Sequence, residues 1–385
     1  LIGVTLIVLA VSVTSVAGFA VYSTFSQIKP GIHLQHVGGA TAAAAPALGP
    51  VPGEVNMLLA GTDTRSGQAG FQDKADIAAS SGTGSNDVTL LLHVSADHTS
   101  ATVVSFPRDM VNVPFCGGAI SSTMFNVTLS HGLSCTVQTV EKMTGLTVPY
   151  AGVITFDGVI GMSNAVGGVT VCVATPIVDK YTGLNLPAGE DTLQGNNALQ
   201  FLRTRHGVAD GSDLGRISNQ QVFLSALVRK ITSAGVLSNP ITMYSLANAA
   251  LANISLSDTL TNPTSLVSVA LALKGIALNN IVFVQYPTLA DPTNPNRVIP
   301  DTQSGSALDA ALQSDQPIAL SGTLGRAAVA APSTAPTPTP SPSATSKPGS
   351  SSTKTPAPTP TASSIVVPPS ITGQAASQST CSKGN

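Results

Sequence analysis

The stretch DVTLLLHVSADHTSATVVSFPRD, Asp87 to Asp109, decides how the chain folds. Its flanks, DVTLLLHV and SATVVSF, are rich in Val, Thr, Leu and Phe, and between them lies the polar cluster Ser95-Ala96-Asp97-His98-Thr99. Two β-rich runs around turn-forming residues predict a hairpin. With the turn centred near Asp97 and His98, facing positions sum to about 196, which sets Asp87 beside Pro107, Arg108 and Asp109. Two acids and an arginine then meet at one end of the hairpin.

The pattern extends both ways from this hairpin. Upstream, EVNMLLA (Glu54 to Ala60) reads as a buried strand ending at Gly61-Thr62-Asp63, so Asp63 is delivered at a strand's C-terminal edge, where ligands of open α/β sheets collect. Downstream, Thr139 to Thr144 reads as a helix stopped by Gly145, and Phe156 to Val166 as a second stopped by Gly167-Gly168. The strand VTVCVA follows, and further helices and a last strand, NNIVFVQYP, fill Pro240 to Pro287. Alternating strand and helix patterns over residues 54–325 predict one α/β unit with helices on both faces of its sheet (α/β/α).

Only 9% of the 385 residues are charged, against roughly a quarter in an ordinary domain. Yet FLRTRHGVADGSDLGRISNQQ (Phe201 to Gln221) gathers Arg203, Arg205 and Arg216. Asn196 to Leu199 suggests a short helix, and Phe201 opens an extended run in which period two sends Arg203 and Arg205 to one face and Thr204 to the other. Ser212 or Asp213 caps a long helix to about Thr232, with Ile217, Leu224, Leu227 or Val228, and Ile231 as its core stripe. Arg216 and Gln220, spaced i and i+4, share a face near that helix start, where backbone N–H groups favour an anion.

Together with Arg108 these side chains form a multidentate clamp for phosphate oxygens, the task to which the forked guanidinium is suited. Asp63 and Asp87 would repel such a ligand unless a hard cation, Mg²⁺ or Mn²⁺, stood between them. The composite suits a diphosphate. No Walker A or G-x-G-x-x-G sequence points to a nucleotide. The competing reading makes the arginines structural partners of Asp210 and Asp213, and the two acids turn and strand-start residues.

At the ends, Leu1 to Tyr22 is uncharged and long enough to cross a bilayer, and is expected to be an uncleaved anchor with no initiator Met before it. Ser23 to Gly53 reads as a spacer, and residues 326–385, with their Pro/Ser/Thr tract, as a disordered exposed tail. Cys116, Cys135 and Cys172 fall in the folded part and Cys381 in the tail. One disulfide is expected, preferably Cys116–Cys135, with other core pairings and free buried thiols as alternatives. A formal charge of -2 without a basic stripe, and 4% aromatic residues, exclude general nucleic-acid affinity. His33, His36, His93, His98, His131 and His206 show no metal-ligand spacing. Gly161 to Ala165 loosely matches a serine-hydrolase elbow, but it reads as helix, ends in Ala, and lacks a placed histidine base.

The segments MLLAGTDTR, NDVTLLLHV, SFPRDM, VEKMTGL, VGGVTV, LPAGEDTLQGNNALQFLRTRH and SDLGRISNQQ occur in an order that resembles the LytR-CpsA-Psr family over nearly all of residues 54–232. The resemblance implies a mixed sheet flanked by helices and a greasy pocket for a polyprenyl tail. It implies phosphate contacts from Arg108, Arg203, Arg205, Arg216 and Gln220, and metal binding by Asp63 and Asp87. It also implies a membrane-anchored, extracytoplasmic enzyme that takes a glycopolymer from a polyprenyl-diphosphate carrier and joins it to peptidoglycan through a phosphodiester. Alternatives using the same pocket are a non-catalytic polyprenyl-phosphate sensor or attenuator and a polyprenyl-diphosphate pyrophosphatase. Asp63, Asp87 and Asp109 are all candidates for the general base. The chain departs from the family at Ser85-Asn86-Asp87, where Arg-Ser-Asp is frequent, and at Asn219, where an arginine is frequent. Its long helical C-terminal portion and low-complexity tail resemble actinobacterial members.

Overall fold

The computed structural model describes residues 29–39, 49–68, 82–233, 238–332 and 364–385. The apolar run Leu1 to Tyr22 lies outside them; among the described residues no helix is long and apolar enough to cross a membrane.

The hairpin forms as its sequence requires. Strands β2 (Asn86–Val94) and β3 (Ala101–Phe106) pair antiparallel, with Thr89 facing Phe106 and Val94 facing Ala101, and β1 (Val55–Thr62) pairs with the other edge of β2. Extending the register beyond Thr89 brings Asp87 beside Arg108. Strands β4 (Tyr150–Ile154), β5 (Val169–Thr175), β6 (Gly189–Leu193), β7 (Ile254–Leu256), β8 (Ile281–Gln285), β9 (Ala328–Ala330), β10 (Gly373–Ala375) and β11 (Thr380–Lys383) complete the main strands. A seven-stranded sheet runs β7-β4-β1-β2-β3-β8-β10. It is mixed, because β1 pairs parallel with β4, and β3 with β8.

Period two sorts the side chains of this sheet between two cores. Leu58, Leu91 and Val104 face a cluster that includes Leu133, Val137 and Val140 of α1 (Leu133–Thr144). The opposite face packs Val55, Tyr150 and Phe283 against α5 (Pro240–Asn253) and α6 (Pro263–Ala272), through Leu251 and Val269. Helices α2 (Phe156–Ala165), α3 (Asn196–Arg203), α4 (Asp213–Ser233) and α7 (Thr302–Gln313) complete the layers, so the expected α/β/α arrangement holds. Gly145 ends α1 in a left-handed conformation at φ 73°, accepted without the penalty a Cβ imposes.

Two boundaries differ from the sequence reading. Within the stretch taken as a spacer, Leu34 is buried, and His36 Nδ1 lies 2.7 Å from Glu141 on α1. At the other end residues 364–385 are folded: β10 closes the edge of the main sheet, and β11 enters a second sheet of order β6-β5-β11-β9. Cys116–Cys135 forms as expected, but Cys381, assigned to a disordered tail, is bonded to Cys172. Among the described residues no cysteine is free. The apolar run Ile365–Val367 and the pairing of β11 with β5 and β9 repay the ordering cost that the Pro/Ser/Thr tract cannot.

Candidate functional site

Asp63 follows the last residue of β1, as expected for an acid at a strand edge. Its Oδ1 accepts the Ser85 N–H at 2.7 Å, and Ser85 in turn accepts the Asp63 N–H. Gly84, at φ +69°, lets this loop close: a Cβ there would lie 2.7 Å from Asp63 Oδ1 and 2.5 Å from Thr62 Oγ1. Burial raises the Asp63 carboxyl above its ordinary value and the charge of Asp87 adds to the rise, against the Ser85 hydrogen bond. A cation beside Asp63 would relieve the cost of holding its ionised form there.

Asp87 sits at the hairpin base and receives Arg108 Nη1 at 2.6 Å. Arg108 is itself packed among acids, with Nε 3.4 Å from Asp109 and 3.6 Å from Asp213. Asp213, the first residue of α4, also accepts the backbone N–H of Arg108 and a donor from Arg216. Arg216 reaches across to the Asp87 carbonyl at 2.8 Å. Its Nε and the Nε of Arg108 are buried without hydrogen-bond partners. Asp109 lies beneath Arg108 and Arg205; burial and Asp213 raise its pKa, while Arg108, Arg205 and Arg216 lower it.

The extended run expected from Phe201 is not formed. Asn196 to Arg203 is the helix α3, whose apolar residues Ala198, Leu199 and Phe201 are buried, and the chain leaves the helix at Thr204. Arg203 and Arg205 converge all the same, because the turn between helix and loop replaces strand alternation. Thr204 is fully buried, and its hydroxyl donates to Asp179 at 2.7 Å. The same carboxylate accepts the N–H groups of Arg205 and Tyr181. Burial pushes the Asp179 carboxyl up, but these hydrogen bonds outweigh it and leave the pKa below its ordinary value. Asp179 therefore fixes the arginine turn from 25 residues away in sequence, a role with no local signature.

Arg203 lies over the Phe156 ring, 4.2 Å from its centroid. Among the described residues it has no carboxylate within ion-pair distance, so the structural-pair reading does not apply to it. For Arg205 and Arg216 the acids are Asp109 and Asp213 respectively; Asp210 pairs with Arg326. Gln220 donates to the Leu202 carbonyl at 2.9 Å, locking α4 to α3. Asn219 does the same through Phe201, and its Oδ1 accepts the Ser382 hydroxyl of β11. The position at which the family frequently carries arginine thus ties the C-terminal strand to the site helix.

Behind the arginines is a cavity of about 520 Å³. Its lining is largely apolar, from Leu59, Leu90, Ile154, Met162, Leu224 and Leu227, and also includes Asp87, Arg108, Arg203, Arg205, Arg216 and Gln220. Asp63 stands outside the lining, though the adjoining Thr62 belongs to it. The α4 residues expected as core stripe, Leu224, Leu227 and Ile231, face this cavity. His206 belongs to the lining too, against Tyr181 at 4.4 Å between ring centroids. The arrangement accommodates a molecule with a multiply charged anionic head and a long apolar tail.

The LytR_cpsA_psr family model matches residues 34–313. The chain is 29% identical over 264 residues to "Cell wall biosynthesis protein LcpA" of Corynebacterium glutamicum, covering 61% of this chain and 50% of that one. It is 34% identical over 222 residues to "Probable cell wall biosynthesis protein LcpB" of the same organism, covering 57% and 52%. It is 30% identical over 183 residues to "Polyisoprenyl-teichoic acid--peptidoglycan teichoic acid transferase TagU" of Oceanobacillus iheyensis, covering 46% and 52%. The chain spans about half the length of these curated relatives. Among solved structures, the LytR-Csp2A-Psr enzyme from Actinomyces oris superposes with a TM-score of 0.53 at 22% identity, over 73% of this chain and 96% of that one. TagT bound to LI-WTA gives 0.53 at 20% identity, over 74% and 99%. These structural likenesses establish the fold.

Proposed function

The chain belongs to the LytR-CpsA-Psr family, and from that premise we propose that it moves a glycopolymer from a polyprenyl-diphosphate carrier onto peptidoglycan through a phosphodiester bond. The observation that carries this reading is the placement of four arginines in the lining of a largely apolar cavity. The diphosphate would meet Arg108, Arg203, Arg205 and Arg216, and the polyprenyl chain would enter the cavity behind them. Named relatives support the class of reaction, since TagU of Oceanobacillus iheyensis carries the name of a teichoic acid transferase.

In this mechanism the guanidiniums do the electrostatic work. Arg108, Arg205 and Arg216 are already oriented by Asp87, Asp109, Asp179 and Asp213, and Arg203 by the Phe156 ring, so charge developing on the transferred phosphoryl group meets donors that need little rearrangement. Arg203, which rests on an aromatic face rather than a carboxylate, is the donor most available to the ligand. The apolar walls exclude water from the carrier side and favour the peptidoglycan hydroxyl as acceptor. The hard carboxylate oxygens of Asp63 and Asp87 suit Mg²⁺ or Mn²⁺, which when bound would neutralise diphosphate oxygens beside the arginines. Asp109, half-buried and within ion-pair distance of Arg108 and Arg205, is a less accessible base than Asp87.

We place the domain outside the cell, at the membrane. Two disulfides support an oxidising compartment, and the apolar run Leu1 to Tyr22 supports an anchor. The test is transfer of a labelled glycan from its polyprenyl-diphosphate carrier to peptidoglycan fragments, with and without chelator. Metal-dependent formation of the linked product is expected. Carrier binding without product would mark a sensor, and release of phosphate without acceptor a pyrophosphatase; either outcome would displace the transferase reading.

A further inference from the structure

Glu54 and Asp63 bracket β1, so the two acids lie at opposite ends of the same central strand, roughly 30 Å apart along an extended backbone. At the Glu54 end the chain brings together three groups distant in sequence. Glu54 precedes β1, His93 lies near the end of β2, and Asp315 follows α7. One carboxylate oxygen each from Glu54 and Asp315 and a ring nitrogen of His93 all lie within 4.8 Å of one another.

The hydrogen bonds around these groups settle which atoms are free. Asn56 Nδ2 donates to the Thr147 carbonyl, so its Oδ1 faces His93 Nδ1 as an acceptor at 2.8 Å. The ring proton therefore sits on Nδ1, and the Nε2 lone pair of this 5%-exposed histidine is left bare. It points at Asp315 Oδ1, 3.4 Å away. Oδ1 is buried and has no hydrogen-bond partner, whereas Oδ2 of the same carboxylate accepts the Ala96 N–H at 2.8 Å. Burial also holds the His93 pKa below its ordinary value, against the raising effect of Asp315. The Nε2 lone pair of a buried histidine thus faces a buried oxygen of a half-exposed carboxylate, two electron-rich atoms with no donor between them. Each has its remaining polar atom oriented by a partner outside the cluster, the arrangement that fixes ligand direction around a metal.

We propose that Glu54, His93 and Asp315 bind a divalent transition-metal ion of the Zn²⁺ type. The imidazole argues against Mg²⁺ and Ca²⁺, which take oxygen donors, and a set of one nitrogen and two carboxylate oxygens is a borderline set suited to Zn²⁺. Metal–ligand bonds of about 2.0–2.2 Å need the three atoms slightly closer than they stand. Glu54, on the exposed side, has the freedom to close that gap. The ion would staple the start of β1, the end of β2 and the turn after α7, and it is independent of the arginine site.

Calorimetric titration of the full chain with Zn²⁺ tests this, carried out in an Asp63→Asn/Asp87→Asn background so that the acids at the other end of β1 do not contribute. One Zn²⁺ per chain is expected to bind in that background. Glu54→Gln, at an exposed position where folding is not at stake, should weaken binding about 10-fold or more, and His93→Gln or Asp315→Asn about 100-fold. Co²⁺ in place of Zn²⁺ should give visible absorption bands that the Glu54→Gln and His93→Gln changes alter or abolish. Absence of Zn²⁺ binding in the double-variant background, or binding that Glu54→Gln and Asp315→Asn leave unchanged, would overturn the site.

Discussion

Asp213 accepts the backbone N–H of Arg108 at 3.2 Å with one carboxylate oxygen while its other oxygen holds the Arg216 side chain. One acid thereby sets the spacing between the hairpin base and the start of α4. Asp213→Ala should leave Arg216 buried without its counter-charge, costing about 3–5 kcal/mol of stability. Asp213→Asn fills the same volume and keeps an acceptor for the Arg108 N–H, but it loses the charge and one acceptor and turns an amide N–H₂ toward Arg216. It should melt nearer to wild type yet transfer glycan about 100-fold more slowly, the cost typical of a misplacement of the order of 1 Å. Melting curves and transfer rates on the two variants separate these effects; equal transfer by wild type and Asp213→Asn would remove Asp213 from the positioning of the clamp.

Arg203 and Thr204 exchange the roles that a strand would have given them. Arg203→Ala loses no ion pair among the described residues but does lose its contact with the Phe156 ring, so stability should fall by about 1 kcal/mol. If Arg203 donates to the transferred phosphoryl group, the rate should fall by about 3–4 kcal/mol in barrier, several hundred-fold. Thr204→Ala removes a buried donor to Asp179 and should cost about 1–3 kcal/mol of stability. Its transfer defect should be smaller than that of Arg203→Ala when both are assayed well below their melting points. The reverse order would mean that the Asp179 network, not the guanidinium, limits the reaction.

What the sequence made legible followed from how local each signal was. The β2–β3 hairpin has alternation, a turn and two acids within one stretch, so it gave both register and the Asp87–Arg108 meeting. The helix stop at Gly145 and the start of α4 at Asp213 were equally local. FLRTRH looks extended in sequence because Arg203 and Arg205 alternate with Thr204, whereas Phe201 to Arg203 are the last turn of a short amphipathic helix that buries Ala198, Leu199 and Phe201. Asp179 was invisible because its ligands Thr204 and Arg205 are remote in sequence. Cys381 and the apolar run Ile365–Val367 were the available sign that the chain beyond the Pro/Ser/Thr tract returns to the fold, but the composition of the tract masked them. His93 joins Glu54 and Asp315 across three segments, which ligand spacing along one segment does not reveal.

Asp309 on α7 gives a prediction in pH. Tyr286 donates to its Oδ2 at 3.1 Å, while Oδ1 is buried without a partner. Burial raises the carboxyl to about 7 from 3.8, against the lowering effect of that hydrogen bond. The folded state then binds a proton more tightly than the unfolded chain, so the stabilisation is full below about pH 4 and is lost as pH rises through about 7. At about 1.4 kcal/mol per pKa unit the span reaches roughly 4 kcal/mol at most. Tyr286 stacks on Phe106, two residues before Arg108, at 5.0 Å between ring centroids, so the loss should loosen the hairpin end. The melting temperature of wild type relative to Asp309→Asn should fall between pH 4 and 8 and level off above. A pH-independent difference would show that Asp309 stays ionised in the fold.

The two disulfides should separate in their effects on activity. Cys116–Cys135 closes 19 residues and ties a surface turn to α1, whereas Cys172–Cys381 closes 209 and pins β11 to β5. In the chain-entropy account the longer loop constrains the unfolded state by about 2 kcal/mol more, so Cys172→Ala/Cys381→Ala should melt lower than Cys116→Ala/Cys135→Ala. The second consequence concerns the site. Beyond Cys381 the strand accepts the Ala209 N–H through Lys383, and the Asn385 N–H donates to the Gly207 carbonyl. These contacts hold the loop that follows Arg205. Releasing β11 should therefore lower transfer well below the melting temperature, with a rise in the carrier KM as Arg205 loses its fixed position. The Cys116→Ala/Cys135→Ala variant should keep its KM. Matching kinetics in the two double variants at a temperature where both are folded would show that β11 contributes stability without positioning the arginine loop.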